Sequence, residues 1–281
     1  MDLDIERLTV EDVPEAVELS TQVGWNQTEA DWRRLLELFP ETCFCGRVGG
    51  DLVATSSLAT YGGRVGWIGM VLVDEDHRRR GYGSAIFERA LEAGIERDLE
   101  AIGLDATDAG SAVYEQYDFE TVLGIDRWIG QPTVPATVGG TADVREARAV
   151  DVAAEYDASR LGIDRRQLLE NLGIASGSTC LVREVNGLVV GYGIVRPGRS
   201  NPQLGPLVAD EREDAEAILA AVANRLDGPV FVDAIRRPET AEILDAFGFE
   251  VQRRLHRMTL DGAGPSLAAD AALAAAGFEW G

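Results

Sequence analysis

Three consecutive arginines and two spaced glycines, Arg78-Arg79-Arg80-Gly81-Tyr82-Gly83, carry the densest chemical signal in the chain. Glycines at that spacing let the backbone turn sharply and aim several N–H groups at one point. An amphipathic stretch follows to about Gly94, so those donors open a helix, where the macrodipole adds partial positive charge. The arginines add full charges beside them. A turn of this kind is built to hold a pyrophosphate. Two other phosphate turns are excluded. A dinucleotide-binding turn needs a third glycine where Ile86 stands, and a P-loop needs a lysine, which the chain lacks altogether.

The elements that must position this turn are legible around it. Ile68-Gly69-Met70-Val71-Leu72-Val73 reads as the strand that leads into it. Upstream, the spacing predicts a strand near 4–8, helices opened by Thr9-Val10-Glu11-Asp12 and Thr28-Glu29-Ala30-Asp31, and strands at 42–48 and 51–59 joined by Gly49-Gly50. Downstream come a helix over 83–97, a strand over 100–105, a short helix over 110–117 and a strand over 119–129. Residues 132–140, rich in Pro, Gly and Thr, read as a linker between units at 1–131 and 141–281.

The strand followed by R-x-x-G-x-G resembles the coenzyme A motif of the GNAT N-acetyltransferase superfamily. The resemblance implies an α/β (α+β) fold with a mixed, mostly antiparallel central sheet flanked by helices, and acetyl-CoA as co-substrate. It implies that strand 69–73 splays from strand 101–105 and pairs its backbone at Met70, Val71 and Val73 with the pantetheine arm. Arg78, Arg79, Arg80, Gly81, Tyr82, Gly83 and Ser84 would then hold the pyrophosphate. Ala109 to Phe119 resembles the family's A-x-x-L-Y-x-x-x-G-F element, which makes Tyr114 the expected proton donor to the departing thiolate. A phenol of pKa about 10 suits that task. Tyr117 is the second candidate. The family's usual glycine before phenylalanine is Asp118 here, a residue type that tolerates left-handed backbone better than most. Asp105, closing its strand beside the expected splay, is the candidate base, and Trp25 and Trp67 are candidate walls of an acceptor pocket.

The same order of elements recurs after the linker: a strand near 143–147, helices near 150–160 and 165–172, a hairpin turning at Asn186-Gly187, and a strand over 204–210. Gly69 and Asp74 recur as Gly205 and Asp210 at one constant offset, which indicates an internal duplication. The copies differ where chemistry would be. Asp210 is followed by Glu211-Arg212-Glu213-Asp214-Ala215-Glu216, carboxylates in place of the glycine pair, and Leu244 stands where Tyr114 does. The second half resembles the degenerate acetyltransferase-like domain of a bacterial and archaeal tandem GNAT group, in Gly198-Arg199, Leu204-Gly205-Pro206, Phe247-Gly248-Phe249, Arg257-Met258 and the tail Ala276–Gly281. The expectation is two tandem GNAT-like domains, of which only the first binds acetyl-CoA.

Composition bounds the rest. A formal charge of −22, with 48 carboxylates against 26 basic residues that are all arginine, repels nucleic acid and anionic membrane. Such a surface suits concentrated salt, where the Debye length falls to about 3 Å at 1 M. The chain reads as a halophilic, cytoplasmic protein with no secretion signal and no membrane span. Cys43, Cys45 and Cys180 read as small core residues, and His77 and His256 give no support for a metal. Three functions compete: an N-acetyltransferase acting on the amine of a small molecule, a non-catalytic acyl-CoA sensor, and a structural protein. The intact turn argues against the last and Tyr114 against the second. Acceptor identity and oligomeric state are not legible.

Overall fold

The computed structural model describes residues 3–139, 143–147, 153–262, 267 and 269–281. The first copy runs β1 (Asp4–Arg7), α1 (Val13–Gln22), α2 (Glu29–Leu38), β2 (Cys43–Val48), β3 (Asp51–Tyr61), β4 (Val65–Val73), α3 (Tyr82–Ile95), β5 (Ala101–Ala106), α4 (Asp108–Tyr114) and β6 (Phe119–Gly130). This is the order expected from the sequence. Its local causes are visible. Thr28 and Asp31 cap α2 reciprocally, with the Thr28 N–H donating to Asp31 Oδ2 at 2.8 Å. Gly49 and Gly50 take φ of 66° and 102° to close the β2–β3 hairpin. Asp118 sits at φ 62°, in the left-handed position where the family's element carries glycine.

The second copy repeats the order as β7 (Val144–Glu146), α5 (Ala153–Leu161), α6 (Arg166–Ile174), β8 (Thr179–Val185), β9 (Leu188–Arg196), β10 (Gln203–Ala209), α7 (Arg212–Ala223), β11 (Val230–Ile235), α8 (Pro238–Ala246) and β12 (Glu250–Leu260). The expected start of a helix near 150, and the junction at 140–141, lie outside the described residues. One further strand, β13 (Ala272–Ala274), has no counterpart in the first copy.

Among the described residues thirteen strands form one sheet, in the order β1-β2-β3-β4-β5-β12-β6-β11-β13-β10-β9-β8-β7. The two copies therefore exchange their last strands. β12, from the second copy, lies against β5 of the first, with Met258 opposite Leu104 and Arg257 opposite Asp105. β6, from the first copy, lies against β11 of the second, with Trp128 opposite Val232. β6 and β12 pair with each other along the centre. The apolar alternation explains why each strand is accepted. Met258, fully buried, packs in the α3-side core with Phe87, Leu104 and Phe119, and Trp128 packs in the α7-side core with Val232 and Phe249. The linker at 132–140 thus separates two stretches of sequence, while the packed units run across it.

The segment after β13 threads between the copies. Trp280 is fully buried, Tyr61 donates its hydroxyl to the Trp280 carbonyl at 2.7 Å, and the Trp67 indole N–H donates to the Phe278 carbonyl at 3.1 Å. Gly69 makes this passage possible. A Cβ there would stand 2.9 Å from the Glu279 Cα, closer than side chains tolerate.

Candidate functional site

β4 and β5 run parallel from Val65 opposite Ala101 to Ile68 opposite Leu104, and their pairing ends there. The cause sits in β4 itself. Ser57 faces Gly69 and Thr55 faces Leu72, so Met70 and Val71 together oppose Ser56 as a bulge, with Met70 at φ 53° and its carbonyl accepting from Thr55 Oγ1 at 2.8 Å. Beyond Ile68, β4 presents backbone groups that β5 does not meet.

The mouth of this splay leads to the N-terminus of α3. Gly81, at φ 82°, is its capping residue, and no side chain caps it. The first turn holds no acidic residue. Arg78, Arg79 and Arg80 are exposed. Arg78 Nε reaches back to the Val73 carbonyl at 3.2 Å, and Arg80 Nη2 to the Asp76 carbonyl at 3.0 Å, which folds the loop over the helix end. A Cβ at Gly81 would meet nothing within 4 Å, so the space above the turn is open. Tyr82 is buried against Val48 and Val53, and stacks with His77 at 6.5 Å between ring centres, so it anchors the turn by its side chain. These residues fit a bound pyrophosphate: backbone donors, no competing carboxylate, and three cations.

The second copy has neither half of this arrangement. Glu211 and Asp214 cap α7 reciprocally, with the Glu211 N–H donating to Asp214 Oδ2 at 3.1 Å. The splay between β10 and β11, which pair in parallel only at Gln203 and Leu204, is filled by β13, bonded to both strands. The carboxylates at 211–216 foretold the first feature. The second came from the chain's own tail, which no spacing in the sequence announced.

In the first copy the splay opens into a cavity of about 120 Å³. Trp25, Met70, Val71, Asp105 and Tyr114 line it, as the sequence led one to expect. Trp67 does not. It is fully buried, with the Arg257 guanidinium 4.4 Å over its ring, and supports the wall from behind. Val73 and the residues from Arg78 to Ser84 lie outside the cavity, on the way to α3.

Tyr114 packs its ring on Phe87, 4.6 Å between centres. Burial pushes its phenol up to about 12, so it keeps its proton at neutral pH. Tyr117 is engaged elsewhere, donating its hydroxyl to Glu88 at 2.7 Å, and is not part of the lining. The Asp105 side chain is inaccessible to solvent and has both oxygens taken by Arg257, at 2.9 and 2.8 Å. Burial pushes its carboxyl up and the guanidinium opposes that. A carboxylate held by a two-pronged bond has its reactive lone pairs occupied. Asp105, the candidate base, is thus a charge-paired residue of the cavity wall.

The sequence reading missed the rest of the lining. Arg253 and Leu255 come from β12, Arg127 from β6, and Phe278 and Glu279 from the tail. Glu279 is buried and accepts from Gln27 Nε2 at 2.8 Å and Arg196 Nη2 at 3.3 Å; burial pushes its carboxyl up, and Arg196 opposes this. Gln27 Oε1 has no donor among the described residues. Trp25 is set by the second copy too, since its carbonyl accepts from Arg199 Nε at 2.7 Å. Two signals did exist: Arg257-Met258 and the tail Ala276–Gly281 were conspicuous in sequence, but nothing there said that they enter the first copy's site. Among the described residues no cluster of metal-ligating side chains occurs, and no helix is long and apolar enough to cross a membrane.

Comparison with known proteins finds relatives for both halves of the chain. Residues 10–119 match the model of the acetyltransferase (GNAT) family, and residues 153–271 match that of an acetyltransferase (GNAT) domain. The uncharacterized N-acetyltransferase YitH of Bacillus subtilis is 28% identical over 81% of this chain and 80% of its own. The holothin acyltransferase of a Pseudoalteromonas species is 22% identical over 83% and 84%. Among solved structures, a putative acetyltransferase from Pyrococcus horikoshii superposes with a TM-score of 0.85 at 24% identity, covering 99% of this chain and 96% of that one. A tandem GNAT protein from the clavulanic acid biosynthesis pathway superposes at 0.65 with 17% identity, covering 94% and 99%.

Proposed function

The chain belongs to the GNAT acetyltransferase family and carries two domains of it, and from that premise we propose that it moves an acetyl group from acetyl-CoA to the amine of a small molecule, with the donor bound by the first copy alone. One contrast carries the reading: an open splay and an uncapped α3 in the first copy, against a filled splay and a carboxylate-capped α7 in the second.

Acetyl-CoA, when bound, supplies the activated acyl group; the remaining work falls to residues of this chain. The N–H groups from Gly81 to Ser84 hold the pyrophosphate, with Arg78, Arg79 and Arg80 neutralising it. The backbone of Met70, Val71 and Val73 runs along the arm, and an N–H at the bulge polarises the acyl carbonyl. Tyr114 keeps its proton until it gives it to the departing sulfur. Trp25 walls the acceptor side. Asp105 is a positioning residue, since it fixes Arg257 and through it Trp67. Glu279, its carboxyl raised by burial and its oxygens shared between Gln27 at 2.8 Å and a longer contact to Arg196 at 3.3 Å, is the cavity carboxylate assigned to take the proton of the attacking amine. A space of about 120 Å³ admits only a small group, far below the usual drug-sized pocket of roughly 300–1,000 Å³.

The test is to incubate the pure protein with acetyl-CoA and a panel of primary amines at low and high KCl, following thiol release. Calorimetry should find one acetyl-CoA site per chain, lost in Arg78→Glu. Two equivalent sites would refute the assignment to the first copy. Tight binding with no turnover of any amine would favour a sensor over an enzyme.

A further inference from the structure

The charges around the cavity do not balance. Asp105 is neutralised by Arg257 at 2.8 Å, and Arg127 by Asp233, through two bonds of 2.7 Å. Glu279 is paired with Arg196 at 3.3 Å. That leaves Arg253, which lines the cavity, is half-buried, and makes no hydrogen bond or ion pair with the described residues. A second guanidinium lies beside it. On the β12–β6 ladder Arg253 lies directly opposite Arg127, and like charges so placed repel. Burial and Arg127 pull its pKa down from the ordinary value while Asp233, already held by Arg127, opposes them, and a guanidinium keeps its proton at any physiological pH.

A half-buried, unpaired guanidinium beside a second one calls for an anion. We propose that the acceptor carries a carboxylate as well as its amine, and that Arg253 receives that carboxylate. The inference rests on the acetyltransferase reading above. Under that reading the anion does not come from the donor. The phosphates of acetyl-CoA lie at the α3 N-terminus beyond Val73, and the arm that enters the splay is uncharged. The cavity also has a matching opposite pole, since Glu279 and the undonated Gln27 Oε1 present acceptors for the amine. The substrate class is therefore an amino acid or a comparably small amino-carboxylate. A chain of charge −22 offers a substrate carboxylate few places to bind, and Arg253 gives the cavity a positive one. Arg253 belongs to the exchanged strand, so the second copy reads the substrate that the first copy acetylates.

The experiment compares amino acids with their primary amides, which have the same shape without the charge. In wild type the kcat/KM for the acid should exceed that for the amide by about 10–100-fold, the span of a charge-assisted hydrogen-bonded pair. Arg253→Gln should bring the ratio close to one, and Arg253→Lys should recover part of it, since the charge returns without the fork. Calorimetry supplies a readout apart from turnover. N-acetylglycine should bind the CoA-loaded wild type more tightly than N-acetylglycinamide, and R253Q should lose the difference while binding acetyl-CoA as before. Equal binding of acid and amide, binding of neither, or a preference that survives in R253Q overturns the proposal. So does a loss of acetyl-CoA affinity in R253Q, which would give Arg253 to the donor. Turnover of amines without any acid preference removes this inference and leaves the acetyltransferase reading standing; failure of all turnover removes that reading instead.

Discussion

Replacing Arg257 by methionine tests how the exchanged strand holds the site. The side chains of Arg257 and Asp105 are both wholly inaccessible to solvent, and two bonds of 2.9 and 2.8 Å join them. Removing the guanidinium leaves a buried carboxylate without its counter-charge and uncovers the face of Trp67. Breaking one side of a buried pair costs about 3–5 kcal/mol, a large share of the roughly 5–15 kcal/mol of a typical domain. The loss should depend on pH. Burial already pushes the Asp105 carboxyl above its ordinary value, and without Arg257 nothing opposes that. The folded variant then takes up a proton that the unfolded chain, with an Asp pKa of about 3.9, does not. Where the folded state binds more protons, stability falls as pH rises. The variant should therefore lie nearest to wild type around pH 4–5 and fall further behind from there towards neutrality. The double variant Asp105→Leu/Arg257→Met removes both charges and should recover most of the loss. Urea unfolding at several pH values, at fixed KCl, measures all three proteins. A single variant that loses under about 1 kcal/mol, or whose deficit is the same at pH 5 and 8, would refute the account of a buried, mutually dependent pair.

Tyr114→Phe should keep acetyl-CoA affinity and lose about 10²–10⁴-fold in turnover, the range for a general acid; wild-type turnover would remove Tyr114 from the mechanism. Thermal unfolding should move upward as KCl rises from about 0.1 M to 2 M, because screening relieves repulsion among the 48 carboxylates; a flat or falling melting temperature refutes the salt-adapted reading. Residues 1–131 expressed alone should not unfold cooperatively, since β5 loses one of its two neighbours and the α3-side core loses Met258, whereas co-expression with 141–281 should restore a folded complex. A stable, cooperatively folding first half would show that strand exchange is dispensable. Gly69→Ala should weaken acceptor turnover and lower stability together, because its Cβ would push on Glu279; unchanged kinetics would separate the tail from the site.

Local order and the glycine turn before α3 were legible in sequence because their causes are local. Capping pairs such as Thr28 with Asp31, glycines at hairpins, and the period of the strand before Arg78 act over a few residues, and the elements fall within a few residues of expectation. The turn at Gly81 needs only its own backbone freedom and the helix that follows it. The carboxylates after Asp210 likewise announced that α7 would be closed to an anion. What decides the acceptor side is nonlocal. Asp105 looked like a free carboxylate because its partner lies 152 residues away. Trp67 looked like a pocket wall because nothing in its neighbourhood says that the tail will cover it. A strand's alternation specifies which face is buried and leaves open which neighbour it pairs with, so β6 and β12 each carried a pattern that either copy's sheet would satisfy. Tertiary packing chose the exchange, and with it brought Arg253 and Glu279 into a cavity that the sequence had described only from the side of β4 and Tyr114.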